Sequence, residues 1–205
     1  MTDSDLFQDT YVGLSIISSS VLRDLQSTAC SRYGCIPRPE FHLTLAYLGQ
    51  CSSVVATAVA HQLSLLAPAS FHVEGNGIGG AFKDDDHQSV ALRIGTTDIA
   101  DHARVLWLAV SATNTLIAFR NALIATASTH GLDLSYLRPT FWPHITLGSG
   151  GPTHGKDWST FDIHDVPKLP YLGPTQVPVH AAALQLTNSV NAPLPLVLIR
   201  KYADV

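Results

Sequence analysis

Two short segments with the same pattern constrain the fold of this chain more than any other feature. FHLTLAYLG occupies residues 41–49 and PHITLG occupies residues 143–148. Each contains the pattern His, apolar, Thr, Leu, which we call the HxT motif, and each ends at a glycine. Its β-branched and aromatic residues are typical of a strand. One such match in a chain with 10 histidines can arise by chance, whereas two on similar strands indicate a shared role.

The side chains of each segment divide between the two faces of a strand. Alternation places His42 and Thr44 on one face, with Leu43 and Leu45 on the other. His144 and Thr146 share a face in the same way. Each strand is therefore predicted to present an imidazole beside a hydroxyl, anchored by an aliphatic back face in the core.

Strands and helices alternate around these segments. Hydrophobic periodicity predicts strands at 10–17, 41–48, 70–82, 104–110, 141–148, 179–189 and 194–202, and helices at 18–33, 52–67 and 111–131. The order strand, helix, strand occurs once before His42 and once before His144. We interpret this order as an internal duplication, in which a pseudo-two-fold axis would bring the two HxT strands into one cleft.

Composition limits the class of protein. Hydrophobic residues make up 46% and charged residues 14% of the 205 positions, which excludes wholesale disorder. The net charge of −4 argues against binding of long nucleic acid through its phosphates. Three cysteines without a CxxC pair, a polar N-terminal segment and no long apolar run lead us to expect a soluble cytoplasmic protein with reduced thiols.

Two imidazoles beside two hydroxyls suit phosphodiester cleavage without a metal. A neutral histidine can deprotonate water or a ribose hydroxyl, and an imidazolium can protonate the departing oxygen. The threonine hydroxyls can donate to the non-bridging phosphate oxygens, where charge develops in the transition state. Which histidine acts as the base stays open at this point. No cofactor and no metal site are predicted.

Four segments resemble the 2H phosphoesterase superfamily, which includes the RNA ligase-like 2′,3′-cyclic phosphodiesterases. They are RPEFHLTLAYLG, SFHVEGNGIGGAF, RVLWLAV and FWPHITLG. The resemblance implies that His42 and His144 are the acid–base pair and that Thr44 and Thr146 bind the phosphate. It also implies an α+β fold in which residues 1–205 form one bilobal domain, with duplicated antiparallel sheets, flanking helices and the active cleft between the lobes.

The substrate is less constrained than the chemistry. Many bacterial members carry an arginine shortly after the second motif, where this chain has Gly148 and Ser149, and residues 83–103 and 149–178 look like extra material. A 2′,3′-cyclic phosphate at a small nucleotide or RNA end is the first candidate. A cyclic or 2′,5′-linked oligonucleotide messenger, in signal quenching or immune evasion, is an alternative. A non-catalytic nucleotide-binding module and a chance coincidence of two HxT strands are alternatives of other classes. The oligomeric state is open.

Several other residues are candidates for a role in the site. Trp142 alternates onto the face of His144 and could stack on a nucleobase or pack at the edge of the cleft. Trp107 lies in a core-like strand and is predicted to pack, and Tyr11 could reach the cleft. Arg38, Arg138 and Lys156 are candidates for a cation that faces the phosphate, and the sequence does not choose among them. The His and Asp residues of 149–178 match no strong metal motif.

Overall fold

The computed structural model describes residues 6–33, 35–71, 73–83, 89–92, 105–135, 137, 141–149, 175–187 and 197–202. Its strands are β1 (Leu6–Ile16), β2 (Ile36–Pro37), β3 (Phe41–Ser52), β4 (Val73–Lys83), β5 (Ser89–Leu92), β6 (Val105–Val110), β7 (His144–Ser149), β8 (Thr175–Val177), β9 (Val179–Thr187) and β10 (Val197–Lys201). Its helices are α1 (Ser20–Tyr33), α2 (Ser53–Leu66) and α3 (Asn114–Thr129). The chain thus has the mixed helix and sheet fold that the sequence predicts.

The longer predicted elements are confirmed, with small differences at their ends. The strand predicted to start at residue 10 begins at Leu6, and the strand predicted at 41–48 continues to Ser52. The short strands β2, β5 and β8 were not predicted. Each pairs along only two to four residues, which leaves too little alternation for a sequence pattern to reveal them.

The helix ends follow from local chemistry. Ser52 caps α2 by accepting from the Val55 N–H at 3.3 Å, and Thr113 caps α3 by accepting from the Leu116 N–H at 3.3 Å. The C-terminal end of α3 is capped by His130, and the glycine after it, Gly131, has a φ of 69°. Gly131 thus lies one residue beyond the cap, in the left-handed conformation that glycine adopts at helix ends.

The described strands form one antiparallel sheet. Their order is β10-β9-β1-β3-β7-β6-β4-β5, with β2 paired to β7 and β8 paired to β4. The two predicted halves meet where β3 pairs with β7, at Leu43 opposite Ile145. The strands of both halves are thus joined in one hydrogen-bonded sheet, and the division of residues 1–205 into two lobes of one domain stays a prediction.

One face of this sheet is covered by the helices. Leu43, Leu45, Ile145 and Leu147 are between 0% and 2% exposed, and they belong to one core cluster with the buried residues of all three helices. His42, Thr44, His144 and Thr146 alternate with these leucines and isoleucine and are partly exposed. The HxT side chains therefore lie on the face opposite the helical layer. None of the three described helices is long and apolar enough to cross a membrane.

Candidate active site

The pairing of β3 with β7 brings the four predicted residues together. Leu43 lies opposite Ile145 in an antiparallel pair, so the residues on either side of each also face one another across the two strands. His42 is then nearest to Thr146, and Thr44 is nearest to His144. Neighbouring positions on adjacent strands have Cβ atoms roughly 5 Å apart, which suits two imidazoles and two hydroxyls around one phosphate.

The ring of His144 is oriented by the main chain just before its strand. Its Nδ1 lies 2.9 Å from the carbonyl oxygen of Trp142. Because a carbonyl only accepts, this hydrogen bond requires the proton on Nδ1 and leaves Nε2 as the nitrogen that can exchange a proton with a substrate. Trp142 thus contacts His144 through its backbone. Its own ring is partly exposed, and the predicted stacking on a nucleobase remains a proposal.

Trp107 lies on the site face, although the sequence predicted a packing role for it. It is opposite Thr146 in the β6–β7 pair, and its ring centroid is 5.5 Å from that of His144. The side chain is partly exposed, whereas its neighbours Leu106 and Leu108 are 1% exposed. β6 therefore belongs to the core only on the face that Leu106 and Leu108 occupy, and Trp107 lies on the other face.

Tyr11 reaches the site, as the sequence allowed. Its ring centroid is 5.3 Å from that of His42 and 5.7 Å from that of Tyr47. The ring lies over Gly13, where an added Cβ would be 3.3 Å from it. Gly13 is opposite Thr44, so the absence of a side chain there leaves room for the phenol beside His42.

Tyr47 is a site residue that the sequence reasoning missed. Strict alternation from His42 places Tyr47 on the opposite face of the strand. The β1–β3 register shifts between Val12, opposite Ala46, and Gly13, opposite Thr44, so β3 carries one extra residue there. This β-bulge reverses the alternation and brings Tyr47, 50% exposed, next to Tyr11.

The electrostatics of the site favour a neutral His42. Burial lowers the pKa of His42, and the positive charges of Arg38 and His144 lower it further, against a smaller opposing effect of Glu40. Burial, with Tyr47 and Glu40, raises the pKa of Tyr11 to about 12. At neutral pH the site therefore holds an uncharged imidazole at His42 and a protonated phenol at Tyr11.

Of the three predicted cations, the structure describes only Arg38. Its backbone N–H donates to the carbonyl of Leu147 at 2.9 Å, and its charge acts on both His42 and Tyr11. Arg138 and Lys156 lie outside the described residues, as do most of 83–103 and all of 150–174 with their histidines and aspartates. Within the described part of the chain, no three His, Cys, Asp or Glu side chains form a group that could hold a metal ion.

Solved structures with this fold are known. The chain matches E. coli LigT complexed with NADP+ at a TM-score of 0.55 and 17% identity, over 96% of this chain and 97% of that one. It matches a structure described only as a phosphoesterase at a TM-score of 0.55 and 18% identity, over 96% and 97%. It also matches TT0787 of Thermus thermophilus at 0.52 and 18%, over 94% and 98%. The chain therefore shares the fold of these proteins, which agrees with the fold that the resemblance to the 2H phosphoesterases implies. No protein family and no curated protein sequence matches the chain.

Proposed function

We propose that this protein is a metal-independent phosphodiesterase that opens a 2′,3′-cyclic phosphate or a similar small phosphodiester at a nucleotide or RNA end. The observation that supports the proposal is the pairing of the two HxT strands at Leu43 and Ile145. That pairing puts two imidazoles and two hydroxyls on one partly exposed face. The fold shared with E. coli LigT and other phosphoesterases agrees with it.

The two histidines take different roles in this proposal. His42 is the general base, because burial and the nearby charges of Arg38 and His144 lower its pKa and keep it neutral at pH 7. His144, whose Nδ1–H is held by the Trp142 carbonyl, protonates the leaving oxygen through Nε2. The hydroxyls of Thr44 and Thr146 donate to the non-bridging oxygens as the phosphorus centre gains charge.

An internal duplication accounts for the symmetry of this arrangement. In the first half β1 precedes α1 and pairs with β3; in the second half β6 precedes α3 and pairs with β7. The site then lies at the junction of the two halves, which we infer to be related by a pseudo-two-fold axis through the Leu43–Ile145 pair. In-line displacement at phosphorus suits such a site, since attacking and leaving oxygens lie on opposite sides of the phosphate.

Tyr47 is a second candidate, besides Trp142, for the surface that binds a nucleobase. Solved structures of E. coli LigT hold phosphate, 3′-AMP and ATP, so a nucleotide is a reasonable ligand for the same fold. Tyr47 is half-exposed and adjoins Tyr11, which itself adjoins His42. An exposed aromatic ring beside the proposed phosphate site can stack on any base.

Substitution of Tyr47 tests this surface. We expect Tyr47→Ala to raise the KM for a nucleoside 2′,3′-cyclic phosphate about tenfold, with little change in kcat, because stacking is lost while the acid–base pair is intact. Leu198→Ala, at a hydrophobic residue of similar exposure on β10, serves as the control. An unchanged KM in Tyr47→Ala together with a raised KM in Trp142→Ala would move the base to Trp142.

The proposed activity is tested with a panel of substrates in the presence of EDTA. The panel contains 2′,3′-cyclic mononucleotides, a 2′,5′-oligoadenylate, and cyclic di- and trinucleotides. We expect turnover of the 2′,3′-cyclic mononucleotides that survives EDTA and is lost in His42→Ala and His144→Ala. His61→Ala, an exposed histidine on α2, should retain it.

Other results on this panel would contradict the proposal in identifiable ways. Turnover of the oligonucleotides alone would favour a messenger-degrading enzyme with the same residues. Activity that requires a metal, or that survives both substitutions, would exclude the two-histidine mechanism. Binding of a nucleotide without turnover would favour a non-catalytic module.

The proposed location is the cytoplasm. Cys30, Cys35 and Cys51 are all buried and carry free thiols, which agrees with a reducing compartment.

A further inference from the structure

The turn before the first HxT strand bulges out beside the second. Pro37 lies opposite Gly148 and Leu43 lies opposite Ile145. Between these two paired positions the segment from β2 to β3 covers six residues, whereas β7 covers three. The surplus residues fall at the edge of β7 where Thr146 lies. We call residues 38–40 the Arg38 turn. Its position between β2 and β3 places it next to His42 along the chain and near Thr146 on the neighbouring strand.

The backbone of the Arg38 turn is fixed by α1 and β7. The Arg38 N–H donates to the Leu147 carbonyl at 2.9 Å. The Arg38 carbonyl accepts from Gln26 Nε2 at 2.8 Å and from Arg23 Nη1 at 3.0 Å. Gln26 Nε2 also donates to the Leu147 carbonyl at 2.6 Å, and its side chain is only 3% exposed. One buried amide thus ties the turn to the strand of His144 and Thr146.

The side chain of Arg38 differs from those of the other described arginines. Arg23, Arg120 and Arg200 each donate to a backbone carbonyl, and Arg23 and Arg120 also lie over phenylalanine rings. Arg38 is exposed, and among the residues that the structure describes its guanidinium forms no ion pair or hydrogen bond. The hydrogen-bonded backbone of the turn therefore holds Arg38 at the edge of the site, where its guanidinium is available to bind a ligand.

We propose that Arg38 is the cation that binds the substrate's phosphate, and that Gln26 is the residue that positions it. This inference rests on the proposed function. A phosphodiester is an anion whose charge shifts to the non-bridging oxygens as it reacts, and the threonine hydroxyls are neutral donors. A guanidinium supplies the opposite charge and can bind two of those oxygens at once.

The electrostatics of the site agree with this placement. After burial, the charge of Arg38 is the largest influence that lowers the pKa of His42, and it also lowers that of Tyr11 against stronger opposing effects. The other groups that act on these two side chains are Glu40, Tyr47 and His144. Arg38 therefore lies within electrostatic range of the proposed base.

Substitution of Arg38 gives the first test. We expect Arg38→Gln to lower kcat/KM for the 2′,3′-cyclic substrate about 10- to 100-fold, as for the loss of a hydrogen bond to a charged group. Arg38→Lys should recover part of the loss, because it restores the charge but not the two-pronged geometry. Lys201→Gln, which removes an exposed cation on β10, is the control for overall charge. Unchanged kcat/KM in Arg38→Gln overturns the proposal.

Binding of inorganic phosphate separates this inference from the proposed function. We expect NMR titration of the histidine rings to show weaker phosphate binding in Arg38→Gln than in the wild type. Without phosphate, the pKa of His42 should rise in this variant, because a neighbouring positive charge is removed. If the wild type binds phosphate through Arg38 but turns nothing over, the proposed function fails and this inference stands. If the enzyme is active and Arg38→Gln binds phosphate as well as the wild type, the inference fails alone. Absence of phosphate binding by the wild type overturns it as well.

A double-mutant cycle tests the positioning role of Gln26. Gln26→Met keeps the length of the side chain and removes the two hydrogen bonds that Nε2 donates, together with the one that Oε1 accepts from Arg23 Nη1. We expect kcat/KM to fall about tenfold. Thr126 is also a buried polar residue, but it lies on α3, so Thr126→Val controls for a general loss of stability. If Gln26 acts through Arg38, adding Gln26→Met to Arg38→Gln costs little further activity. Fully additive losses overturn the positioning role.

Discussion

Replacement of either HxT histidine is expected to abolish most of the activity on a 2′,3′-cyclic phosphate. General acid–base catalysis contributes roughly 10²- to 10⁴-fold per group, so His42→Ala and His144→Ala should each lower kcat by about that factor. The loss should appear in kcat and kcat/KM together, because proton transfer occurs only in the transition state. Steady-state kinetics of the two variants beside His61→Ala measure it.

A substrate with a better leaving group distinguishes the roles of the two histidines. A p-nitrophenolate departs without a proton, so a p-nitrophenyl ester of a nucleotide does not need the general acid. We expect His144→Ala to regain much of its lost activity on this ester, whereas His42→Ala stays impaired on both substrates. The opposite result would exchange the two roles. Equal losses on both substrates in both variants would contradict a division into acid and base.

The pH dependence of the wild type follows from the environment of His42. The base must be neutral, and burial together with Arg38 and His144 lowers its pKa. The acidic limb of kcat/KM should therefore fall below the unperturbed histidine value of about 6.5. In Arg38→Gln the same limb should move to higher pH, because the protonated form of His42 is less disfavoured. A limb that moves to lower pH would contradict this assignment.

The arrangement of the four HxT residues could be predicted because it depends on the alternation of side chains along a single strand, which is a local property of the sequence. Alternation alone puts His42 beside Thr44 and His144 beside Thr146, and the buried Leu43 and Ile145 between them confirm the faces. The repeated order of strand and helix then predicts that the two strands meet. The pairing of Leu43 with Ile145 agrees with that expectation.

The parts of the site that escaped prediction depend on irregular pairing. Tyr47 joins the face of His42 because a β-bulge adds one residue to β3, and no residue type in LTLAYLG marks that bulge. Trp107 has core-like neighbours, and only its register opposite Thr146 places it beside His144. Arg38 could not be chosen over Arg138 and Lys156, because its position follows from the unequal advance of two paired strands and from hydrogen bonds to a helix.

Gly148 links the stability of the fold to the geometry of the site. It follows the second HxT motif, in β7, and pairs with Pro37 of β2. A Cβ added there would lie 2.5 Å from the sulfur of Cys30, 2.9 Å from the carbonyl oxygen of Ile36 and 3.0 Å from the Cβ of Cys35. Two of these three neighbours are backbone or backbone-anchored atoms, which cannot swing aside as the end of a long side chain can. A methyl group must therefore push β2 or α1 away from β7.

Gly148→Ala is expected to lower the free energy of unfolding by about 1–3 kcal/mol, as overpacking of a close-packed core does. Because β2 leads directly into residues 38–40, its displacement should also lower kcat/KM. Denaturant titration and steady-state kinetics measure the two effects. Gly131→Ala is the matched control: nothing lies within 4 Å of its added Cβ, but its φ of 69° disfavours alanine. That variant should lose stability by about 1 kcal/mol and keep its kcat/KM. Wild-type stability in Gly148→Ala would contradict the close contact between α1, β2 and β7, and lost stability with unchanged kcat/KM would separate that contact from the site.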